Sequence, residues 1–191
     1  RGMPHNHQFK IAVSGAADGA IVELAKELAI KVGKEIAIKK CILLTGATTG
    51  VPQYAAVGAS KSKGVVIGFS PATSRKEHLN KYRLPVDHHD IIFYSAFGYA
   101  HRNSLLTTMS DAVIIISGRI GTLNEFTTTF EENKIIGVLL GSGGIADEIP
   151  NIIEVANRGK GRIIYDNDPV RLVERVVIEI EEDYRANNHE S

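Results

Sequence analysis

The sequence predicts a doubly wound α/β fold, a single domain on a mainly parallel sheet of about seven strands. Two observations carry that expectation. Short apolar runs alternate with longer segments of helical period, which implies right-handed parallel crossovers. The runs also lack strict polar alternation, as "AVIIIS" (112–117) and "IIGVLL" (135–140) show. Strands of that kind are buried on both faces. No internal repeat is present.

In order along the chain, "FKIAVSG" (9–15) reads as the first strand. The helix after it has Ile21, Leu24, Leu28 and Val32 at three- and four-residue steps as its inward stripe, with Asp18 as N-cap. It ends near "IAIKK". "CILLTG" (41–46) is the second strand, and Pro52 suits the first turn of the helix after "ATTGV". "GVVIGFS" (64–70) is the third. Segment 71–90, "PATSRKEHLNKYRLPVDHHD", is the least regular part and is expected at an edge or over the site. "IIFYSA" (91–96) is the fourth strand, followed by a helix around 101–110. The fifth and sixth strands are the two runs quoted above, with a helix carrying Leu123, Phe126 and Phe130 between them. A helix near 145–157 precedes the strand "GRIIYD" (161–166). Asp168 and Pro169 then form an N-cap and first-position proline for the last helix, with Leu172, Val173, Val176, Val177 and Ile180 inward. The folded domain is expected over 9–184, between flexible segments 1–8 and 185–191.

The bulk numbers exclude several function classes. With 191 residues, 43% hydrophobic and 23% charged, the chain has the make-up of one ordinary globular domain. Lys plus Arg and Asp plus Glu both number 22, so bulk charge provides no hold on a nucleic acid or an acidic membrane. No apolar run approaches the ~20 residues of a membrane helix. "RGMPHNHQ" has no apolar signal core, and Arg1 and Gly2 before Met3 read as a cloning remnant. Cys41 is alone and beside "ILL", so a buried inert thiol in a cytoplasmic protein is expected.

In folds of this class ligands bind at the carboxyl ends of the strands. The loops there are "SGAADG", "TGATTG", "FSPATS", "SAFGYAHR", "SGRIGT" and "GSGG". "TGATTG" (45–50) can hold an anion on backbone N–H groups at a helix start. It is close to the TGxxxGxG turn of short-chain dehydrogenases, but Pro52 stands at the last glycine and no tyrosine has a lysine four residues on. G-x-G-x-x-G and G-x-x-x-x-G-K-[ST] are missing too, so dehydrogenase and ATPase readings drop. His88 and His89 are adjacent and lack acidic or cysteine partners at ligand spacing, so no metal site is expected. His101, beside Arg102, is a weaker site candidate. "SGRIGTLNE" supports two readings. Thr122 and Glu125 fit a T-x-x-E capping box, while the position after the central strand suits a phosphate loop with a carboxylate facing the ligand. Both uses compete for Glu125, and the loop alone leaves both open.

The segment "RNSLLTTMSDAVIIISGRIGTLNEF" (102–126) resembles the signature of the Lonely-Guy family, long misannotated as lysine decarboxylases. Arg102, Gly118, Gly121, Thr122 and Glu125 fall on the signature's arginine and G-x-G-T-x-x-E positions. "CILLTGATTG" and "GVVIGFSPA" resemble the family's glycine-turn and V-I-G-x-x-P strands. The resemblance implies a Rossmann-like phosphoribohydrolase that splits nucleoside 5′-monophosphates into base and ribose 5-phosphate. It further implies no metal or organic cofactor and assembly as a dimer or tetramer. It makes Arg102 and Glu125 the catalytic pair. The expected phosphate- and nucleotide-binding residues are Gly15, Thr45, Gly46, Thr48, Thr49, Ser117, Gly118, Arg119, Gly121 and Thr122. Related molybdenum-cofactor carrier proteins hold a ligand without hydrolysis. This chain departs from the signature at Ser117 for proline, Arg119 for glycine, Asn103 for lysine and Asn124 for a frequent acid. A side chain at 119 either adds a phosphate contact or blocks the pocket, so nucleotide hydrolase and carrier or sensor both remain open.

Overall fold

The computed structural model describes residues 9–188. Strands and helices alternate throughout. They are β1 (Lys10–Gly15), α1 (Ala20–Ile38), β2 (Ile42–Thr45), α2 (Val51–Lys61), β3 (Val66–Ser70), α3 (Arg75–Asn80) and β4 (Ile91–Tyr94), then α4 (Gly98–Met109), β5 (Ala112–Ile116), α5 (Ile120–Glu131), β6 (Ile135–Leu139), α6 (Gly144–Ala156), β7 (Arg162–Asp166) and α7 (Pro169–Asn188). One sheet holds all seven strands in the order β4-β3-β2-β1-β5-β6-β7. Every neighbouring pair is parallel. This is the doubly wound Rossmann-like sheet that the apolar runs predict.

The winding follows from crossover handedness. From β1 the chain steps outward to β4, then passes back across β1 and steps the other way from β5 to β7. Right-handed crossovers in opposite directions lay their helices on opposite faces. Ile11, Val13, Ile114 and Ile116 accordingly pack with α1, α2 and α7 residues. Ala12, Val113 and Ile115 pack with Leu106, Phe126, Ala146 and Ile149 of α4, α5 and α6. β5 is buried along its whole length, as a central parallel strand must be.

The inward stripe of α1 keeps Leu28 and Val32 of the expected one but not Leu24. Leu24 is 80% exposed, whereas Val22, Ala25, Ala29, Val32 and Ile36 are buried. Close packing selects the small residues here. A Cβ on Gly33 would lie 1.9 Å from the Ala55 carbonyl oxygen, and one on Gly58 would lie 2.0 Å from that of Ile30. α1 and α2 therefore touch backbone to backbone, and a leucine on that stripe would hold them apart. Asp18 does not cap α1. Gly19 does, at a φ of 90° and with no side-chain cap bond. Asp168 does cap α7, accepting from the Arg171 N–H at 2.8 Å, and Pro169 opens that helix. The five expected α7 core residues are all buried.

Segment 71–90 contains α3, capped by Ser74, whose hydroxyl accepts from the Glu77 N–H at 3.2 Å. Two histidines fasten this segment to strand ends. His78 lies between the Ser70 hydroxyl (2.8 Å) and the Pro85 carbonyl (2.9 Å). His89 lies between the Thr45 hydroxyl (2.6 Å) and the Asp87 carbonyl (2.9 Å). The segment leads into β4, at the sheet's edge. Cys41 is buried, and desolvation foremost, with Asp111 and Glu181 nearby, pushes its thiol up to about 11. No helix among the described residues is long and apolar enough to cross a membrane. The expectation for 1–8 lies outside the described residues, and the boundary expected at 184 falls inside α7.

Gly33→Val tests the α1–α2 contact. Overpacking of about 1–3 kcal/mol, at 2–4 °C for each kcal/mol in a domain of this size, lowers the melting midpoint by roughly 2–12 °C. Scanning calorimetry reads the shift, and an unchanged midpoint would show that the two helices can part freely.

Candidate functional site

β1 and β5 are neighbours in the sheet, but the chain leaves them in opposite directions, so a cleft opens at their carboxyl ends. Its volume is about 310 Å³. Gly15, Ala16, Ala17 and Asp18 form one wall, and Arg119, Ile120, Gly121, Thr122 and Glu125 form the other. Thr48, Tyr99, Arg102 and Asn103 complete it. Gly15 has no room for a side chain: a Cβ would lie 2.4 Å from Val51 and 2.5 Å from the Ile116 carbonyl oxygen.

The two uses that compete for Glu125 are separated by where α5 begins. The helix starts at Ile120 with Arg119 as N-cap and no side-chain cap bond. Thr122 is thus already in the first turn and Glu125 in the second, so the T-x-x-E box does not form. Glu125 is half-buried on the same side of α5 as Gly121 and Thr122, while Phe126 beside it enters the core. The first intrahelical bond runs from the Leu123 N–H to the Arg119 carbonyl at 3.0 Å. The amides before it are the orphan donors that favour an anion at a helix start.

Arg102 comes from α4 and is only 5% exposed. Its guanidinium donates to the Gly46 carbonyl and lies 5.5 Å from the Tyr99 ring centre. A Cβ on Gly46 would fall 1.5 Å from that guanidinium, so the glycine is required by Arg102. Arg102 Nε and Asn103 Oδ1 are buried without a partner. Burial pushes the Glu125 carboxyl above the usual carboxylate range, and the charge of Arg102 and the hydroxyl of Ser14 pull it part-way back. Burial lowers Arg102 from its ordinary value, opposed by Glu125 and Tyr99. The Ser14 hydroxyl, near the carboxylate, makes no hydrogen bond of ordinary geometry. The site therefore holds a buried cation beside a carboxylate that resists ionisation.

The other expected residues divide into two groups. Gly15, Thr48, Arg119, Gly121 and Thr122 line the cleft with Arg102 and Glu125. Thr45, Gly46, Thr49, Ser117 and Gly118 stand behind it. The Thr45 hydroxyl is engaged by His89 and the Ala47 N–H, and Thr49 ties its turn to the Ala17 carbonyl at 2.9 Å. Ser117, at a φ of 56°, and Gly118 shape the turn into α5, and their carbonyls accept from Ala146 and Ile145 of α6. Arg119 neither fills nor blocks the cleft: it reaches to Asp18 in an exposed ion pair. Sequence reasoning missed Ser14, Tyr99 and the site role of Asp18. Each falls in a stretch that the sequence places at a strand's carboxyl end, "SGAADG" or "SAFGYAHR", and that placement is the signal that could have found them.

A family model described as the SLOG cluster4 family matches residues 8–173. The chain belongs to that family. This SLOG cluster4 chain is 33% identical over 131 residues to an uncharacterized protein of Archaeoglobus fulgidus, a match covering 69% of this chain and 80% of the other. Its fold resembles the X-ray structure of TM1055, with a TM-score of 0.76, 21% identity and coverage of 92% and 99% of the two chains. It also resembles the molybdenum cofactor binding protein from Rippkaea orientalis, with a TM-score of 0.70, 24% identity and coverage of 94% and 98%. The molybdenum cofactor carrier protein from Chlamydomonas reinhardtii matches with a TM-score of 0.69, 24% identity and coverage of 89% and 96%. The resemblance read from 102–126 to the Lonely-Guy-like Rossmann superfamily is borne out, by family and by fold.

The raised Glu125 pKa has a consequence for stability. A carboxyl that holds its proton more tightly when folded stabilises the fold below its unfolded pKa of about 4.3. That contribution is lost as pH rises through the folded value. Glu125→Gln carries no such ionisation cost. Its melting midpoint is expected to exceed the parent's at pH 8, with the gap closing toward pH 4. A parent equally stable at pH 8 would contradict the charge burial.

Proposed function

We propose that the chain binds a nucleoside 5′-monophosphate, or a closely similar phosphorylated ligand, in this cleft and hydrolyses its N-glycosidic bond. The observation that carries the reading is Glu125: free of the helix cap, half-buried in the cleft wall, and electrostatically coupled to the buried Arg102. The phosphate takes the first-turn amides of α5 with Arg119 beside them. The exposed Tyr99 ring offers a flat face for a base. Cleavage of the C1′–N bond builds positive charge on the ribose, which the ionised Glu125 stabilises while it orients water toward C1′. The water oxygen bonds to C1′, and its proton passes through Glu125 to the departing base. Arg102 stabilises the negative charge on that base. Assembly as a dimer or tetramer is part of the proposal, and Phe93 and Phe97, exposed at β4 and before α4, are the apolar surface it would cover.

One observation favours a second reading, a carrier that holds its phosphorylated ligand intact. Arg119 stands where the Lonely-Guy signature has a glycine. Two of the structural neighbours are themselves molybdenum-cofactor binding or carrier proteins.

Incubation with a panel of nucleoside 5′-monophosphates, with chromatography of base and ribose 5-phosphate, separates the readings. Hydrolysis predicts release that Glu125→Gln reduces by roughly 10²- to 10⁴-fold, the span of a positioned acid–base group. Because Glu125 acts ionised and its pKa is raised, the rate falls on the acid side from a pH above about 4.3. Ligand-induced thermal stabilisation without release is the carrier's result.

A further inference from the structure

We propose that Asp18 is a built-in competitor for Arg119, and that exchange of its carboxylate for a ligand's phosphate makes the site select phosphorylated over unphosphorylated ligands. The inference rests on the phosphate-site reading above and adds the residue pair that enforces it.

The Asp18–Arg119 ion pair joins two walls whose backbones are fixed. On one side the Val51 N–H donates to the Ala16 carbonyl at 2.8 Å, and the Thr49 hydroxyl donates to that of Ala17 at 2.9 Å. A Cβ on Gly50 would lie 2.3 Å from the Ala16 oxygen, so the β2–α2 turn presses directly on the loop that carries Asp18. On the other side α5 holds Arg119 through the Leu123 N–H, and α6 holds the preceding turn through the Ile145 and Ala146 N–H groups. The two side chains that span these walls are exposed, 62% for Arg119 and 80% for Asp18, so they can swing while the backbones hold.

An exposed ion pair is weak and readily exchanged. A phosphate offers Arg119 a doubly charged, two-pronged acceptor in place of one carboxylate. It does so beside the uncapped first turn of α5. Deeper in the same cleft, the buried Arg102 keeps an unpartnered Nε. With Glu125 ionised, the four charges lining the cleft, Asp18, Arg102, Arg119 and Glu125, sum to zero. Moving Asp18 aside leaves the wall around the phosphate net positive. A nucleoside without phosphate gives Arg119 nothing in exchange, so Asp18 keeps its partner and the pair neither helps nor hinders that ligand.

Calorimetric titration of the intact chain at low ionic strength, with adenosine 5′-monophosphate, inorganic phosphate and adenosine as probes, tests the exchange. Asp18→Asn is expected to tighten the monophosphate and phosphate roughly two- to five-fold, the worth of one exposed ion pair, and to leave adenosine unchanged. In an Arg119→Gln background the same change is expected to do nothing. Binding seen only after Asp18→Asn supports the exchange in its strong form. If the parent binds the monophosphate and Asp18→Asn leaves it equal or weaker, or tightens adenosine as much, the exchange is overturned and the phosphate site stands. If neither protein binds monophosphate or phosphate, the phosphate-site reading falls and the exchange with it. Because the pair is exposed, equal melting midpoints confirm that the variants are folded.

Discussion

The reversal of winding at β1 and β5 is the constraint on which the rest of the molecule depends. A right-handed crossover carries the chain away from β1 on one side of the sheet, and another carries it away from β5 on the other. No connection can run between the carboxyl ends of these two strands, so the polar ends of two buried strands face a cleft. The same reversal places α1 and α5 on opposite faces, so their N-terminal loops form the two walls. The cleft follows from topology, and its chemistry from the short loops that topology leaves there.

Within the cleft, burial sets the electrostatics. Arg102 is inserted beneath the site by α4 and held by a backbone carbonyl, which fixes its position without neutralising its charge. Glu125 faces it from α5 and feels that charge, yet desolvation outweighs the attraction and keeps the carboxyl's proton affinity high. Burial and a nearby opposite charge thus act on the same carboxyl in opposite senses, and burial prevails. The exposed pair at the mouth obeys other rules, with solvent weakening it and leaving it open to exchange.

How much of this was legible in the sequence depended on the kind of signal. Strand order of appearance and the parallel sheet were legible because runs buried on both faces have no other home. The α7 stripe and its Asp168–Pro169 start were legible because cap chemistry and helical period agreed. On α1 the signal failed, because hydrophobicity weighs Leu24 above Ala25 and Ala29 whereas backbone contact at Gly33 and Gly58 weighs size. At Thr122–Glu125 the pattern fitted a capping box, but the chain enters helix at Ile120, earlier than the pattern requires. At Ser74–Glu77 the same kind of pattern, S-x-x-E, does coincide with a helix start, and the serine caps α3. Cleft residues on flagged loops were legible as a region. The division between lining residues and the buttress of Thr45, Thr49, Ser117 and Gly118 was not, since it depends on contacts across the sheet.

The contact between Gly46 and Arg102 has a consequence for how this site can change through descent. Any side chain at 46 occupies the space of the guanidinium, and without Arg102 that space is a void at the base of the cleft. The two positions, 56 residues apart, therefore form one heritable unit. Lineages that keep the arginine are bound to keep the glycine, and a lineage that loses one is released from retaining the other. A glycine that touches no ligand would then record, in an alignment of relatives, whether the chemistry beneath it persists.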